Sequence, residues 1–452
     1  MTNGFSVSAY AARLARLAFA ATIIAIPFRY RVVLAPRPFP PIYGDYTDFL
    51  LFAGDAFLVA TLLLWLIATI SGRRRIAWGP AFLTLPMAAL VVLGLATSAA
   101  SADPPLSLYH SVRLLLLAGL YLYVVNEITS LSDVIWPLAV QVPLQSVVAI
   151  AQILNQGSVG LAWLGELELD PAWSGVSIVW AEGVRSLRAY GLTDHPNILG
   201  GSLAFALVLL TAWYIESGSR RRALVVGVCA LGSLSLFLTF SRAAWLALAV
   251  AGVWMVAIFI RTRQFGMLEK GAYLAAAGAF VTLPFVWQYA DIIGVRLNRN
   301  AAFVEVPIES RSLEERSALS DAANELFAAQ PVAGVGLGAF PRALQSTRPN
   351  FEFYYQPVHM ALLDVAAETG IFGGLAYAVL MLSPWSALLI RRRQIQFTPL
   401  LVGASGALLA ITTVGLFDYY PWLLTPGRLW QWLLWGLWAV AFQSAQVSET
   451  AT

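Results

Sequence analysis

Long apolar runs recur along the whole chain, and they constrain its fold more than any other feature of the sequence. Each run has about 20 residues, which is enough for a helix to cross a hydrocarbon layer about 30 Å thick. Only 12% of the 452 residues are charged, whereas a soluble domain carries about a quarter. The sequence therefore predicts an all-α polytopic membrane protein, with residues 1–452 forming a single integral membrane domain. About twelve spans are predicted: residues 11–28, 49–70, 79–100, 107–124, 132–155, 197–216, 223–240, 243–260, 270–289, 357–388, 397–416 and 428–446.

Arginine clusters predict the orientation of these spans. The clusters fall in alternate short loops, and positively charged short loops stay in the cytoplasm. Both termini are therefore expected inside, and two long segments, 156–196 and 290–356, are expected on the opposite, outer side. The clusters are Arg73–Arg75, Arg220–Arg222, Arg261 with Arg263 and Lys270, and Arg391–Arg393.

The large outer segment, between the ninth and tenth spans, contains an amphipathic helix at about residues 312–329. Ser312 and Glu315 have the spacing of a capping box, and apolar residues follow at helical intervals. Such a helix either lies flat on the membrane surface or covers a cavity. Its apolar positions are Leu319, Ala322, Ala323, Leu326 and Phe327.

The tenth span, 357–388, begins with a histidine and carries two carboxylates into its first turns. It is longer than a membrane requires, which predicts a tilt or a kink near Pro384. Asp364 and Glu368 are four residues apart and share a helix face, whereas Glu368 projects about half a turn away from His359. We therefore expect Glu368 to pack inside the bundle and His359 to face the outer side, although a histidine at a helix start is often structural.

Arginines on the outer side need an explanation other than topology, and an anionic ligand supplies one. Arg242 lies in a very short turn between two spans, so it either snorkels or pairs with an anion in a cleft. Arg188 is either a lipid-phosphate anchor or part of a site. Arg316 either pairs with acidic neighbours on its helix or contributes to a site. Three arginines among acidic residues are weaker candidates: Arg296, Arg299 and Arg311.

The segment "YGLTDHPNILGG", residues 190–201, reads as the start of a membrane helix. Pro196 suits the first helical position, and Asp194 or His195 is placed to cap the helix. The alternative is that these polar residues belong to a site at the outer boundary of the membrane.

Nothing in the sequence predicts a metal or a cofactor. Cys229 is the only cysteine, which excludes disulfides and thiolate clusters within the chain. The glycines at 334, 336 and 338 lack the strand, helix and Lys/Thr of a phosphate loop. The acidic run at 166–170 has no accompanying histidine or Asp-x-Asp cluster, so it is a weak candidate for a cation site.

Four motifs together resemble the O-antigen ligase family, which shares a superfamily with O-antigen polymerases and some oligosaccharyltransferases. In chain order they are "GLTDHPNILG", Thr239-Phe-Ser-Arg242, Arg316 followed by "PVAGVGLGAF", and His359 followed by Glu368-Thr-Gly. The sequence departs from the family pattern at Met360, where the family often has an asparagine directly after the histidine.

The resemblance implies an activity and a site. Such ligases transfer a polysaccharide from undecaprenyl pyrophosphate to a sugar of the lipid A–core acceptor, at the periplasmic face of the bacterial inner membrane. The implied enzyme is a metal-independent, inverting glycosyltransferase with a GT-C-like fold and no cofactor. We expect His359 to act as the base or to orient the acceptor, and Arg188, Arg242 and Arg316 to surround the pyrophosphate. Secondary candidates for shaping the site are Asp194, Asn197 and Glu368.

Three other functions remain open at this stage. An O-antigen polymerase uses the same donor with a growing glycan as acceptor, and a protein O-oligosaccharyltransferase uses a protein acceptor. The chain ends soon after its last span, which mildly disfavours the protein transferase. A lipid-linked glycan transporter would place its charges near the midplane, whereas here they gather on one face.

Overall fold

The computed structural model describes residues 7–181, 183–218, 222–297 and 307–446, and only the backbone of residues 307–310. Arg220 and Arg221 of the second arginine cluster, and Arg299, lie outside the described residues. The described helices are α1 (Val7–Ala25), α2 (Ala53–Ser71), α3 (Ala81–Thr97), α4 (Pro104–Glu127), α5 (Ser132–Asn155), α6 (Pro196–Glu216), α7 (Arg222–Leu238), α8 (Arg242–Arg261), α9 (Phe265–Gln288), α10 (Ala290–Arg296), α11 (Pro307–Ala329), α12 (Phe340–Thr347), α13 (Ala361–Ile390), α14 (Pro399–Gly415), α15 (Tyr420–Leu423) and α16 (Thr425–Ser444).

The helices of the described chain make this a multi-pass membrane protein. Nine of them are long and apolar enough to cross a membrane, namely α1 to α6, α8, α9 and α13. Two more, α7 and α14, are apolar but shorter. Each of the twelve predicted spans overlaps a helix that the structure describes. The number twelve and the GT-C-like arrangement stay predictions, because three of these helices fall short of the length or apolarity that marks a span.

Capping residues fix where several of these helices begin. The Asp103 side chain accepts a hydrogen bond from the backbone N–H of Leu106, and Pro104 follows as the first residue of α4. Thr398 does the same for Leu401 at the start of α14. An oxygen side chain before a proline satisfies a backbone donor that the first turn leaves unpaired.

Two short antiparallel hairpins lie on the side of the bundle that is predicted to be outer, and we keep the name outer side for it. One lies between α1 and α2, in residues 26–52, which we call the first outer loop, and the other lies in the segment 156–196. The sequence analysis did not predict either hairpin. β1 (Arg31–Ala35) pairs with β2 (Phe49–Phe52), and β3 (Ile178–Ala181) pairs with β4 (Val184–Leu187). The fold is therefore mostly helical with a small amount of sheet. The hairpins stiffen the two loops that carry Arg31 and Arg188.

Helix α13 is broken at Gly370, whereas a tilt or a kink near Pro384 was predicted. Gly370 has φ +70° and ψ −173°, a combination that is essentially confined to glycine. Gly370 is the one residue with non-helical angles inside α13, so Pro384 continues the helix. The break places Glu368 at the end of one helical segment, where backbone carbonyls lose their usual partners.

The segment 331–336 fills this break from the outer side. The N–H groups of Val335 and Gly336 donate to the carbonyls of Ala367 and Glu368, each at 2.9 Å. In an unbroken helix those carbonyls would accept from residues four positions further along α13. The glycine-rich segment thus completes the hydrogen bonding of a distant helix.

Gly334 and Gly370 explain why this junction needs glycine. Gly334 has φ +69°, and a side chain there would collide with the backbone of Glu368. A side chain at Gly370 would collide with the carbonyl of Val332. The chain segments therefore approach more closely than any larger residue permits.

Helix α11 and the first outer loop form a layer over the outer ends of the membrane helices. Helix α11 starts at Pro307, so Ser312 lies within it and the capping-box interpretation was wrong. Four of its five predicted apolar positions are buried, and Phe327 is partly buried. The buried face packs against a second apolar cluster formed by Ile42, Val335, Phe340, Ala343, Leu344, Tyr355, Val358 and Ala367.

Candidate active site

Arg188 is buried where β4 leads into the start of α6. Only 6% of the residue is exposed. Its Nε donates to the backbone carbonyl of Thr239 at 2.8 Å, and its Nη2 donates to Oδ1 of Asn197 at 2.7 Å. These bonds join two motifs that lie about fifty residues apart in the sequence. A lipid-phosphate anchor would be exposed, so the burial of Arg188 favours a role inside a site.

Asp418 extends this arrangement into the turn between α14 and α15. Nδ2 of Asn197 donates to Oδ2 of Asp418 at 3.1 Å, and Asp418 is only 6% exposed. The two bonds of the Asn197 side chain fix its orientation, because its oxygen faces a donor and its nitrogen faces a carboxylate. Arg188, Asn197 and Asp418 therefore form a continuous hydrogen-bonded chain.

His195 is the N-cap of α6. The sequence predicted either Asp194 or His195 in this role. Its Nδ1 accepts from the backbone N–H of Asn197 at 3.1 Å, and its Nε2 lies 2.8 Å from Oγ of Ser177. Burial lowers the pKa of His195 well below its usual value, and the positive charge of Arg188 lowers it further. A neutral ring with Nδ1 as acceptor carries its proton on Nε2, which then donates to Ser177.

Asp194 does not cap α6 but holds the first outer loop. Its carboxylate lies 2.8 Å from Nε of Arg29 and 2.7 Å from Nη1 of Arg31. Arg31 also binds Asp45 at 2.5 Å. We call Arg29, Arg31, Asp45 and Asp194 the hairpin ion-pair cluster, since it ties the β1–β2 hairpin to the start of α6.

His359 lies two residues before α13, with its ring edge-on to Tyr419 at 5.0 Å between centroids. Its Nδ1 is buried and has no hydrogen-bond partner among the described residues. Burial lowers the pKa of His359 to about 4, while the charge of Asp418 raises it and that of Arg316 lowers it. The imidazole is therefore neutral near pH 7 and able to accept a proton.

Arg316 reaches the same region from α11. Its Nε is buried without a hydrogen-bond partner in the described part of the chain. The structure describes no ion pair between Arg316 and the acidic residues of its own helix, which was the structural alternative. Arg316 is close enough to lower the pKa of both His359 and His195. Its position therefore favours a role in a site.

Arg242 joins this region through a residue that the sequence analysis ranked lower. Nη1 of Arg242 donates to the backbone carbonyl of Arg296 at 3.4 Å, and Nε of Arg296 donates to the carbonyl of Phe240 at 3.0 Å. The charge of Arg296 also lowers the pKa of His195. Arg242 is therefore linked to this region through Arg296.

Glu368 lies elsewhere, inside the bundle, as its helical projection predicted. It is fully buried, and its Oε2 accepts from Nε1 of Trp422 at 2.9 Å. The Asp364 side chain is fully buried as well. Arg428 packs over the Trp422 ring at 5.6 Å and approaches Nδ1 of His110 at 3.2 Å. Glu368 thus belongs to an interior polar group, separate from His359.

The structure brings together one histidine, two arginines and an asparagine–aspartate pair that orients Arg188, with His195 and Arg296 beside them. We call His359, Arg188, Arg316, Asn197 and Asp418 the histidine cluster. Its two guanidinium groups outnumber its one carboxylate, so the cluster favours an anion. A neutral imidazole beside bound anionic substrate is suited to accept a proton from a hydroxyl group.

Asp418 and Arg296 were not chosen as site residues from the sequence, although the sequence held a signal for one of them. Asp418 stands in a short outer turn between apolar spans, where a charged side chain is costly and usually functional. Arg296 sits among acidic neighbours in the sequence, and nothing there distinguishes it.

Comparison with known families assigns the central part of the chain. A family model described as O-Antigen ligase matches residues 227–378, about a third of the sequence. The match includes Arg242, Arg316 and His359, whereas Arg188 and Asp418 lie outside it. No curated protein matched the chain. The resemblance predicted from the sequence is confirmed over this segment, since residues 227–378 match the O-antigen ligase family model.

Proposed function

We propose that the protein transfers a polysaccharide from undecaprenyl pyrophosphate to a sugar of the lipid A–core acceptor. The O-antigen ligase segment and the multi-pass membrane fold support a role in the transfer or polymerisation of such glycans. The specific donor and acceptor, the GT-C-like fold and the metal-independent, inverting mechanism are part of the proposal. So is the location, in a bacterial inner membrane with the site facing the periplasm and both termini in the cytoplasm.

The observation that carries the proposal is the convergence of His359, Arg188 and Arg316 at one place on the outer side. These residues come from three distant parts of the chain, the lead into α6, helix α11 and the lead into α13. Guanidinium groups bind phosphate oxygens through paired, charge-assisted hydrogen bonds. Nε of Arg316 and Nδ1 of His359 are polar atoms without partners among the described residues, which is the state expected where a ligand completes the bonding.

In the proposed reaction, the acceptor hydroxyl oxygen attacks the anomeric carbon of the first glycan sugar, from the face opposite the diphosphate. A new glycosidic C–O bond forms while the bond from the anomeric carbon to the diphosphate oxygen breaks. The bonding electrons leave with undecaprenyl pyrophosphate, and the hydroxyl proton passes to His359. The configuration at the anomeric carbon is therefore inverted.

The arginines stabilise the negative charge that grows on the departing diphosphate. Such fixed donors act strongly in a site that excludes water. The diphosphate is a good leaving group, so the reaction needs no strong general acid. Base catalysis by His359 contributes about 10²–10⁴-fold.

The bound donor also changes the pKa of His359. Without donor, burial holds the pKa of His359 at about 4, where the imidazole accepts a proton only weakly. The diphosphate brings negative charge beside the ring, and nearby negative charge raises the pKa of a histidine. His359 therefore becomes a stronger base when the donor is in place.

Deletion of the gene tests the proposal most directly. Loss of long glycan from lipid A–core, with long glycan accumulating on the carrier lipid, supports the ligase. Single glycan repeats on lipid A–core would instead identify a polymerase and overturn the proposed acceptor. Complementation with the wild type and with His359→Ala, each checked for membrane insertion, assigns the chemistry to the site.

Reconstitution of the purified protein tests the metal-independent mechanism. Transfer from lipid-linked donor to lipid A–core is expected to continue in EDTA at its original rate. Activity that disappears in EDTA and returns with Mg²⁺ or Mn²⁺ would overturn this part of the proposal.

A further inference from the structure

A polar cavity lies at the opposite ends of the membrane helices from the histidine cluster. It has a volume of about 270 Å³ and opens between α1, α2, α4 and the start of α5. Helix α2 begins beside the outer hairpin and ends next to this cavity, so the cavity faces the side on which the Arg73–Arg75 loop lies. Its lining residues are Arg16, Trp65, Thr69, Arg74, Arg75, Ile76, Asn126, Glu127, Thr129 and Asp133.

The two carboxylates of this cavity already have partners in the protein. Oε1 of Glu127 accepts from Nη1 of Arg74 at 3.0 Å and from Nε1 of Trp65 at 3.1 Å. Oδ2 of Asp133 accepts from the backbone N–H of Ser130 at 3.3 Å. A bound cation would have to displace these donors, which disfavours a metal or an amine as the ligand.

Two of the three arginines of the cavity and one of its hydroxyl groups have no such partner among the described residues. Within the described residues, Arg16 and Arg75 make no hydrogen bond and no ion pair to another side chain. Thr69 is only 7% exposed, and its Oγ1 is buried without a hydrogen-bond partner. A buried hydroxyl without a partner is uncommon and points to a missing ligand or water. Two guanidinium groups and a hydroxyl donor match the oxygens of a phosphate group.

The loop that carries Arg75 is held in place before any ligand binds. The side-chain amide of Asn126 accepts from the backbone N–H of Ala77 at 2.8 Å and donates to its carbonyl at 2.9 Å. These two hydrogen bonds to one residue hold the loop against the end of α4. A site whose groups are already ordered loses less entropy when it binds a ligand.

The surface beside the cavity indicates that the phosphate comes from a lipid. Leu66, Ile67 and Ile70 of α2 are 48%, 47% and 67% exposed. They lie on a membrane-crossing helix within a few residues of Thr69, so acyl chains can lie along this face. Basic pockets between membrane helices on the cytoplasmic side commonly bind anionic lipid headgroups.

We propose that this cavity binds the phosphate of an anionic phospholipid in the leaflet opposite the histidine cluster, through Arg16, Arg75 and Thr69. The site would tie the protein to anionic lipids on the side where arginine-rich loops lie. The proposal does not depend on the transfer reaction, because none of its residues belongs to the histidine cluster.

The test uses the full-length protein, purified in detergent and stripped of lipid. Phosphatidylglycerol, phosphatidylcholine and inorganic phosphate are added separately, and thermal melting and native mass spectrometry report binding. Phosphatidylglycerol is expected to raise the melting temperature and to remain bound, whereas phosphatidylcholine does neither. The double variant Arg16→Gln/Arg75→Gln is expected to weaken this binding at least tenfold.

The matched control is Arg392→Gln/Arg393→Gln, which removes two exposed arginines of another loop on the same side. It is expected to bind phosphatidylglycerol as the wild type does. Thr69→Val, which keeps the shape of the side chain and removes the hydroxyl, provides a second variant if the double variant does not fold. Equal phosphatidylglycerol binding by the wild type and these cavity variants would overturn the site. A full melting shift with inorganic phosphate alone would overturn its assignment to a lipid.

Discussion

Two groups of charged residues on the outer side contain the same types of side chain but differ in how those side chains are paired. In the hairpin ion-pair cluster, Asp194 binds both Arg29 and Arg31, and Arg31 also binds Asp45. In the histidine cluster, Nδ1 of His359 and Nε of Arg316 find no partner among the described residues, although both atoms are buried.

The difference separates charges that hold the fold from charges that await a ligand. A buried polar atom without a partner costs about 1–3 kcal/mol, so a folded protein keeps few of them. The hairpin ion-pair cluster avoids this cost by pairing its groups internally. The histidine cluster bears the cost, which the oxygens of a bound diphosphate and acceptor would offset.

The largest effect is expected from His359→Ala. Loss of the proton acceptor should reduce kcat for glycan transfer by about 10²–10⁴-fold, with little change in donor binding. Steady-state kinetics of the reconstituted protein measure both quantities. The control is Met360→Ala, which trims the exposed neighbouring side chain and should keep kcat within about twofold. Transfer at the wild-type rate by His359→Ala would remove this residue from the chemistry.

Arg316→Gln is expected to reduce kcat/KM by about 10–100-fold, because it removes a charged hydrogen bond to the diphosphate worth about 1.5–3 kcal/mol. Arg316→Lys should recover only part of the loss, since an ammonium group cannot make the paired bonds of a guanidinium. Arg311→Gln on the same helix is the matched control, because Arg311 is exposed and packs over Phe353. Equal losses in Arg311→Gln and Arg316→Gln would show that general charge, rather than position, matters.

The pH dependence of transfer should reflect the lowered pKa of His359. The base must be neutral, so activity is lost as pH falls through its pKa. The profile of kcat/KM, which reports the free enzyme, should stay level from pH 8 to about pH 5 and fall near pH 4, the pKa of His359. The profile of kcat should fall at a higher pH, because bound diphosphate raises that pKa. An acid limb of kcat/KM near pH 6.5 would contradict the buried, neutral histidine.

The smallest effect on transfer is expected from Arg31→Gln. Breaking a partly buried ion pair should lower the free energy of unfolding by about 2 kcal/mol, between the values for exposed and buried pairs. Below the melting temperature, transfer should stay within about twofold of the wild type. Thermal melting and initial rates test this, with Arg185→Gln in the other hairpin as an exposed control. A loss of transfer without a change in melting would move Arg31 into the site and remove the contrast between the clusters.

Most of the helices could be predicted from the sequence, because an apolar run of membrane length leaves few alternatives. The hairpins could not, since β1 has five residues and three of them are exposed, which leaves no alternating pattern to detect. The irregularity in α13 was predicted as a tilt or a kink near Pro384, because proline is a usual cause of a kink. Its true position at Gly370 depends on the segment 331–336, more than thirty residues away in the sequence.

The histidine cluster was predictable only in part, because local sequence signals point to some of its residues and not to the contacts between them. His359 and Arg188 were chosen as candidates because polar residues at the ends of apolar spans are costly. The contacts of Asp418 with Asn197 and of Arg296 with Arg242 join distant parts of the chain, and no spacing in the sequence encodes them. Glu368 was rightly placed inside the bundle, since its helical projection is a local property.

The backbone bonds from Val335 and Gly336 to α13 limit how a substrate can arrive. These bonds attach the segment 331–336 to the membrane helices, and both accepting carbonyls belong to buried residues. Separating this segment from α13 would leave two buried carbonyls without hydrogen-bond partners, at a cost of several kcal/mol each. We therefore expect the outer layer to remain bound to the helices during turnover. A lipid-linked substrate would then enter laterally from the bilayer.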